Sequence, residues 1–134
     1  MRVIAGSLRG RKLQTLEGMD VRPTTDKVKE AIFSAVQFDL YKAVVLDLFS
    51  GSGQMGIEAL SRGAEKAVFV DVSSKSLNVT RKNIADMDLE TVSTCCQADA
   101  RDFLKTDNKN YNIAFLDPPY GKGILEEVLP ILSE

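Results

Sequence analysis

The sequence contains no histidine. That absence excludes a Ser-His-Asp triad, a Cys-His pair, a histidine metal centre and a histidine general base. Any chemistry must use carboxylates, backbone groups, lysine, tyrosine or a cofactor. Cysteine is nearly as scarce, and the two present, Cys95 and Cys96, are neighbours. Adjacent cysteines seldom bridge, and two thiols without histidine make a poor metal site. They read as two buried strand residues in a reducing compartment, and no metal is expected. Long apolar runs are lacking too: stretches such as 43–46 and 113–116 are far too short to cross a bilayer. Residues 1–20 show no apolar core of a signal peptide. The expected compartment is the cytoplasm, with no membrane partner.

What remains is an ordinary globular composition. The chain has 134 residues, 44% hydrophobic and 27% charged, which suits one domain with a sizeable core. A net charge of −2 argues against indiscriminate nucleic-acid binding, but its distribution is uneven. Residues 1–12 hold Arg2, Arg9, Arg11 and Lys12 and no acid, so they carry +4 and the remainder −6. A basic arm on an acidic body is either a solvated end or a phosphate-contacting arm.

Residues 2–5 and 11–16 alternate in part around Gly6-Ser7-Leu8-Arg9-Gly10, which predicts a hairpin. After Val21-Arg22-Pro23, either Thr24 or Thr25 can cap a helix with Asp26 in its first turn. That helix has an apolar stripe at Val28, Ala31, Ile32, Ala35 and Val36. From residue 43 the pattern becomes regular strand–helix alternation. Strands are expected at 43–49, 67–72, 91–96 and 112–117, with helices at 54–62, 74–87 and 100–104 and another beginning at 124–132. Such alternation means βαβ units with right-handed crossovers: an α/β fold, Rossmann-like, with a doubly wound parallel sheet. The expected organisation is a single domain over 1–134, with residues 1–41 a hairpin-and-helix extension and 42–134 the core. Further C-terminal strands are expected beyond Glu134.

The central motif runs Val45-Leu46-Asp47-Leu48-Phe49-Ser50-Gly51-Ser52-Gly53-Gln54-Met55-Gly56. It leaves a buried strand, turns through two glycines and enters a helix whose free N–H groups face the turn. Gly51, Gly53 and Gly56 also satisfy G-x-G-x-x-G with Asp71 at the end of the next strand, so NAD is a competitor. Asp47 helps to decide. A carboxylate beside the turn repels a pyrophosphate, whereas S-adenosylmethionine has no phosphate and carries a sulfonium and an ammonium. Asp71 suits ribose hydroxyls and Asp99 the adenine amine, at the carboxyl ends of successive strands, where open α/β sheets bind ligands. The expected cofactor contacts are Asp47, Phe49, Ser50, Gly51, Gly53, Asp71, Val72, Asp99 and Ala100.

The fourth strand ends in Asp117-Pro118-Pro119-Tyr120-Gly121. Prolines terminate a strand, but they do not account for the flanking carboxylate and aromatic. An exocyclic base amine is a poor nucleophile because its lone pair is delocalised into the ring. The Asp117 carboxylate and the Pro118 carbonyl can accept its two hydrogens and aim the lone pair. Prolines hold that carbonyl rigidly, and Tyr120 can stack on a base turned out of its helix. No histidine is needed.

Taken together, the glycine motif and Asp117-Pro118-Pro119-Tyr120 resemble the amino-methyltransferase superfamily. Two N-terminal strings narrow this: Arg2-Val3-Ile4-Ala5-Gly6-Ser7-Leu8-Arg9-Gly10-Arg11-Lys12-Leu13 and Arg22-Pro23-Thr24-Thr25-Asp26-Lys27-Val28-Lys29-Glu30-Ala31-Ile32-Phe33. They resemble the RsmD family, bacterial 16S ribosomal RNA guanine-N2 methyltransferases. The resemblance covers the whole chain and implies the class I methyltransferase fold with S-adenosylmethionine as cofactor. It implies methylation of one guanine N2 in small-subunit RNA within a ribosomal subunit or assembly intermediate, by a monomer. It implies that Arg22 and Thr24 help to close the cofactor site. Arg9, Arg11 and Lys12, with Pro119 and Tyr120, then face RNA. Rival readings are a DNA adenine or protein glutamine methyltransferase, and an NAD-dependent oxidoreductase supported only by glycine spacing.

Overall fold

The computed structural model describes residues 2–14, 26–48, 51–106 and 111–116. Four parallel strands, β1 (Val44–Leu48), β2 (Lys66–Asp71), β3 (Ser93–Gln97) and β4 (Ile113–Leu116), lie in the order β3-β2-β1-β4. Helix α1 (Asp26–Val36) precedes the sheet, and α2 (Gln54–Ser61), α3 (Ser74–Asp86) and α4 (Ala100–Thr106) follow β1, β2 and β3. The expected parallel α/β sheet is therefore present, and β4 pairs with β1 in register, Leu116 level with Leu48.

The apolar run of β1 is continuous because both of its faces are covered. Val45 joins Phe69, Phe115, Ile57, Met55 and Ile84 in one core cluster. Leu46 and Leu48 turn the other way and pack with Val68, Val70 and Ala100. Val3, Leu13 and Phe33 belong to the first cluster, so the N-terminal segment and α1 share a core with the sheet. Among the described residues, no helix is long and apolar enough to cross a membrane.

The expected hairpin is present among the described residues, closed by an antiparallel bridge of Arg2 with Lys12 and by bonds from Val3 N–H to the Arg11 carbonyl at 3.0 Å and from Gly10 N–H to the Val3 carbonyl at 2.9 Å. Its backbone also reaches α2: Ile4 and Ala5 N–H donate to Glu58 at 2.8 and 3.0 Å, and Ser7 N–H to the Ser61 carbonyl at 2.8 Å. Three other local expectations are corrected. The third strand begins later than expected, at Ser93, because Glu90–Val92 form a 3₁₀ turn. That turn lets Leu89 and Val92 pack against the core. Cys95 and Cys96 do lie on β3 but are half-buried, and burial pushes the Cys95 thiol up from its ordinary value against the opposing charge of Arg81.

The third correction concerns α1. Ala31 and Ala35 of the expected apolar stripe are exposed, and Ile32 is borderline; Lys29 and Phe33 are fully buried instead. Lys29 Nζ lies 3.3 Å from Glu58 Oε1 on α2 and donates to the Arg2 carbonyl at 3.2 Å. Phe33 packs on Phe115, ring centroids 5.1 Å apart, and under the Arg62 guanidinium at 4.7 Å. Val36 of the expected stripe does pack against the first core cluster, so α1 meets the core along Lys29, Phe33 and Val36, with the buried Lys29 charge partnered by Glu58. The cap at Thr24 or Thr25 and the helix from residue 124 lie outside the described residues.

Candidate active site

The β1–α2 turn begins the site. Gly51 and Gly53 have φ of +57° and +83°, the left-handed region that glycine enters without strain. Among the described residues, a Cβ at Gly51 would meet nothing within 4 Å, so they leave open space at the turn there. The third glycine serves packing instead. A Cβ at Gly56 would lie 2.3 Å from the Phe69 ring, so its absence lets α2 approach the sheet.

Side chains from two strands and one helix hold this turn. Gly51 N–H donates to Asp71 Oδ2 at 3.0 Å, and Thr80 Oγ1 donates to the Gly51 carbonyl at 2.7 Å. Asn83 Nδ2 donates to the Ser52 carbonyl at 2.9 Å. Gly56 N–H donates to Asp47 Oδ2 at 3.0 Å. Asp47 is 1% exposed and level in register with Phe69 and Phe115 on its neighbouring strands. Its carboxylate therefore complements the N-terminus of α2, where partial positive charge gathers. The Asp47 expected from sequence is present beside the turn, and the hydrogen bond compensates its burial.

Asp71 ends β2, and its Oδ1 accepts the Ser73 N–H at 2.9 Å. A carboxylate has about four acceptor positions, so Asp71 retains capacity for ligand hydroxyls. Val72, next in sequence, is 65% exposed, an apolar surface at the carboxyl edge of the sheet. Asp99 follows β3, half-buried, and its carbonyl accepts the Phe103 N–H at 2.9 Å. Ala100 is buried in the second core cluster, so only its backbone is available to a ligand. Asp47, Gly51, Gly53, Asp71, Val72 and Asp99 all stand at the carboxyl ends of β1, β2 and β3. Phe49, Ser50, Arg22, Thr24, Asp117, Pro118, Pro119 and Tyr120 lie outside the described residues.

Arg9, Arg11 and Lys12 are exposed. Arg11 Nη2 also donates to the Asp86 carbonyl at 2.8 Å, placing a cation at the C-terminus of α3 where the dipole favours it.

Sequence reasoning missed the polar residues that hold these parts together. Glu58 is fully buried and accepts from Ile4, Ala5 and Arg62, the last at 2.8 Å. Burial pushes its carboxyl up, but hydrogen bonds from Ile4, Arg62 and Ala5, with the Lys29 charge, outweigh this and hold it below its ordinary value. A signal existed: Glu58 stands among Ile57, Ala59 and Leu60, and Thr80 and Asn83 stand on the same face of α3 as Leu77 and Ile84.

Parallel strands in this order, a glycine turn after β1 and acids closing β2 and β3 define a protein with the class I methyltransferase fold, an enzyme of the methyltransferase class. The chain matches the family described as conserved hypothetical protein 95 over residues 1–134 and belongs to it. It is 36% identical to ribosomal RNA small subunit methyltransferase D of Escherichia coli strain K12, covering all of this chain and 67% of that protein. It is 42% identical to a candidate rRNA methyltransferase of Bacillus subtilis, covering 100% of this chain and 74% of the relative. A solved structure of a candidate methyltransferase from Escherichia coli superposes with a TM-score of 0.89 at 34% identity, covering 100% of this chain and 72% of that one.

Proposed function

We propose that this chain methylates the exocyclic N2 amine of a guanine in small-subunit ribosomal RNA, using S-adenosylmethionine, as a monomer in the cytoplasm. The observation that carries the reading is the pairing of β4 with β1, Leu116 level with Leu48, just before Asp117-Pro118-Pro119-Tyr120 and the glycine turn respectively. The whole-chain identity to small-subunit RNA methyltransferases supports the substrate.

The residues present suit the cofactor. The open space at Gly51, the Asp71 carboxylate and the exposed Val72 fit a ribose and an adenine face, and Asp47 disfavours a pyrophosphate. Gly51, Gly53, Asp71, Val72 and Asp99 would hold it, with Phe49, Ser50, Arg22 and Thr24 completing the contacts. S-adenosylmethionine supplies an electrophilic methyl group. Asp117 and the Pro118 carbonyl accept the two hydrogens of the guanine amine and orient its lone pair. Tyr120 stacks on the extruded base beside Pro119. The amine proton leaves to Asp117 or to water after transfer.

The test is methyl transfer to small ribosomal subunits from cells lacking the modification, followed by nucleoside analysis. N2-methylguanosine is the expected product. N6-methyladenosine or methylated glutamine would replace the substrate assignment. In parallel, S-adenosylmethionine at about 100 times its Kd should stabilise the fold by about 2.7 kcal/mol. Stabilisation by NAD alone would reverse the choice of cofactor.

The arm is tested separately. Replacing Arg9, Arg11 and Lys12 by Ala is expected to weaken RNA binding and to flatten its dependence on salt, since fewer counterions are released. Cofactor affinity should stay nearly unchanged. A salt slope equal to that of the wild type would return these residues to a solvated end.

A further inference from the structure

Resting on that functional reading, we infer that Asn83 is a positioning residue that couples RNA binding on the basic arm to cofactor binding at the glycine turn. Its side chain is fully buried between the two. Asn83 Oδ1 accepts the Gln14 N–H at 2.8 Å, and Nδ2 donates to the Gln14 carbonyl at 3.0 Å and to the Ser52 carbonyl at 2.9 Å. Each amide hydrogen thus serves a different segment: one the arm, the other the turn.

The neighbours on α3 make the position singular. Thr80 donates to the turn, at the Gly51 carbonyl, at 2.7 Å. The Asp86 carbonyl accepts from the arm, through Arg11, at 2.8 Å. Asn83 bonds to both segments among the described residues. Phosphates binding Arg9, Arg11 and Lys12 draw on the segment that also carries Gln14. A displaced arm would leave buried amide groups without partners, which is costly where water is excluded. An arm held by RNA fixes Asn83, and Asn83 fixes the Ser52 carbonyl in the turn that receives the cofactor. Such a contiguous hydrogen-bonded chain carries coupling in both directions.

The experiment measures the affinity of radiolabelled S-adenosylhomocysteine by equilibrium dialysis, with and without saturating small ribosomal subunits that lack the methyl group. The wild type is expected to bind about fivefold or more tightly with subunits present. Asn83→Asp keeps an acceptor for Gln14 but loses both donated bonds, and its ratio should fall to near one. Thr80→Val removes the bond to the Gly51 carbonyl and leaves the Asn83 amide with its partners, so it should weaken both affinities and keep the wild-type ratio. A purely structural role would move the affinities of Asn83→Asp and Thr80→Val alike without removing the ratio. If Asn83→Asp fails to fold, judged by its melting curve, Gln14→Pro tests the link from the arm, and its ratio must fall likewise. A wild-type ratio of one, or retention of the ratio by Asn83→Asp or Gln14→Pro, overturns the coupling. Failure of the wild type to bind the homocysteine analogue or the subunits overturns the functional reading itself, and the coupling with it.

Discussion

Asp117→Ala is expected to lose most methyl transfer while binding S-adenosylmethionine nearly as well as the wild type. The proposed acceptor pair acts on the amine, whereas the cofactor contacts come from the ends of β1, β2 and β3. Losing one preorganised acceptor typically costs on the order of 10²–10³ in rate. Asp117→Asn keeps an oxygen but removes the charge, so its rate should lie between those of the wild type and Ala. Tyr120→Ala should instead weaken capture of the extruded base, a stacking loss of roughly 1–3 kcal/mol, and Tyr120→Phe should be mild. Single-turnover transfer to unmodified small subunits, with calorimetric cofactor affinity for each variant, separates these effects. Near-wild-type turnover in Asp117→Ala would falsify the acceptor-pair mechanism and return Asp117-Pro118-Pro119-Tyr120 to a strand-ending turn.

Glu58→Ala is expected to destabilise the fold by about 3–5 kcal/mol, the usual cost of removing one partner from a buried ion pair. It strands the fully buried Lys29 and leaves the Ile4 and Ala5 N–H groups without their acceptor. Glu58→Gln should cost less, because it keeps an acceptor oxygen. The hydrogen bonds that Glu58 accepts from Ile4, Arg62 and Ala5, with the smaller pull of the Lys29 charge, also set a pH dependence. The folded state holds the Glu58 carboxyl below its ordinary value, so the unfolded chain takes up a proton first as the pH falls. The contribution is complete above the unfolded pKa, about 4.3, and is lost as the pH falls through the lower folded value. Denaturant unfolding at neutral pH and at stepped acid pH reads both effects. A Glu58→Gln variant with the same acid profile as the wild type would assign the acid sensitivity elsewhere.

The strand–helix alternation from residue 43 onward is a local signal, because each parallel strand must be apolar on both faces and each crossover helix on one. The glycine turn was legible for the same reason: Gly51 and Gly53 are required by their own backbone angles. The acids at the ends of β1, β2 and β3 could be located by counting along strands whose direction was already known. The start of the third strand could not, since the turn at Glu90–Val92 answers to the packing of Leu89 and Val92 on distant residues.

Long-range pairing decided the rest. The burial of Lys29 on α1 is matched by Glu58, 29 residues beyond it in sequence, and no periodicity within α1 contains that charge. The expected hairpin is docked on α2 through Glu58 and Ser61, acceptors that its own sequence does not contain. Gln14 and Ser52 are far apart along the chain, yet one buried amide at Asn83 serves both. The sequence by itself determined the class of fold, the glycine turn and the residues proposed for chemistry, because hydrophobic period, turn geometry and residue type act over a few neighbours. Only the tertiary structure decided which polar groups were buried and how they were partnered, because a charge or an amide leaves water only where the folded chain brings its complement within hydrogen-bond distance.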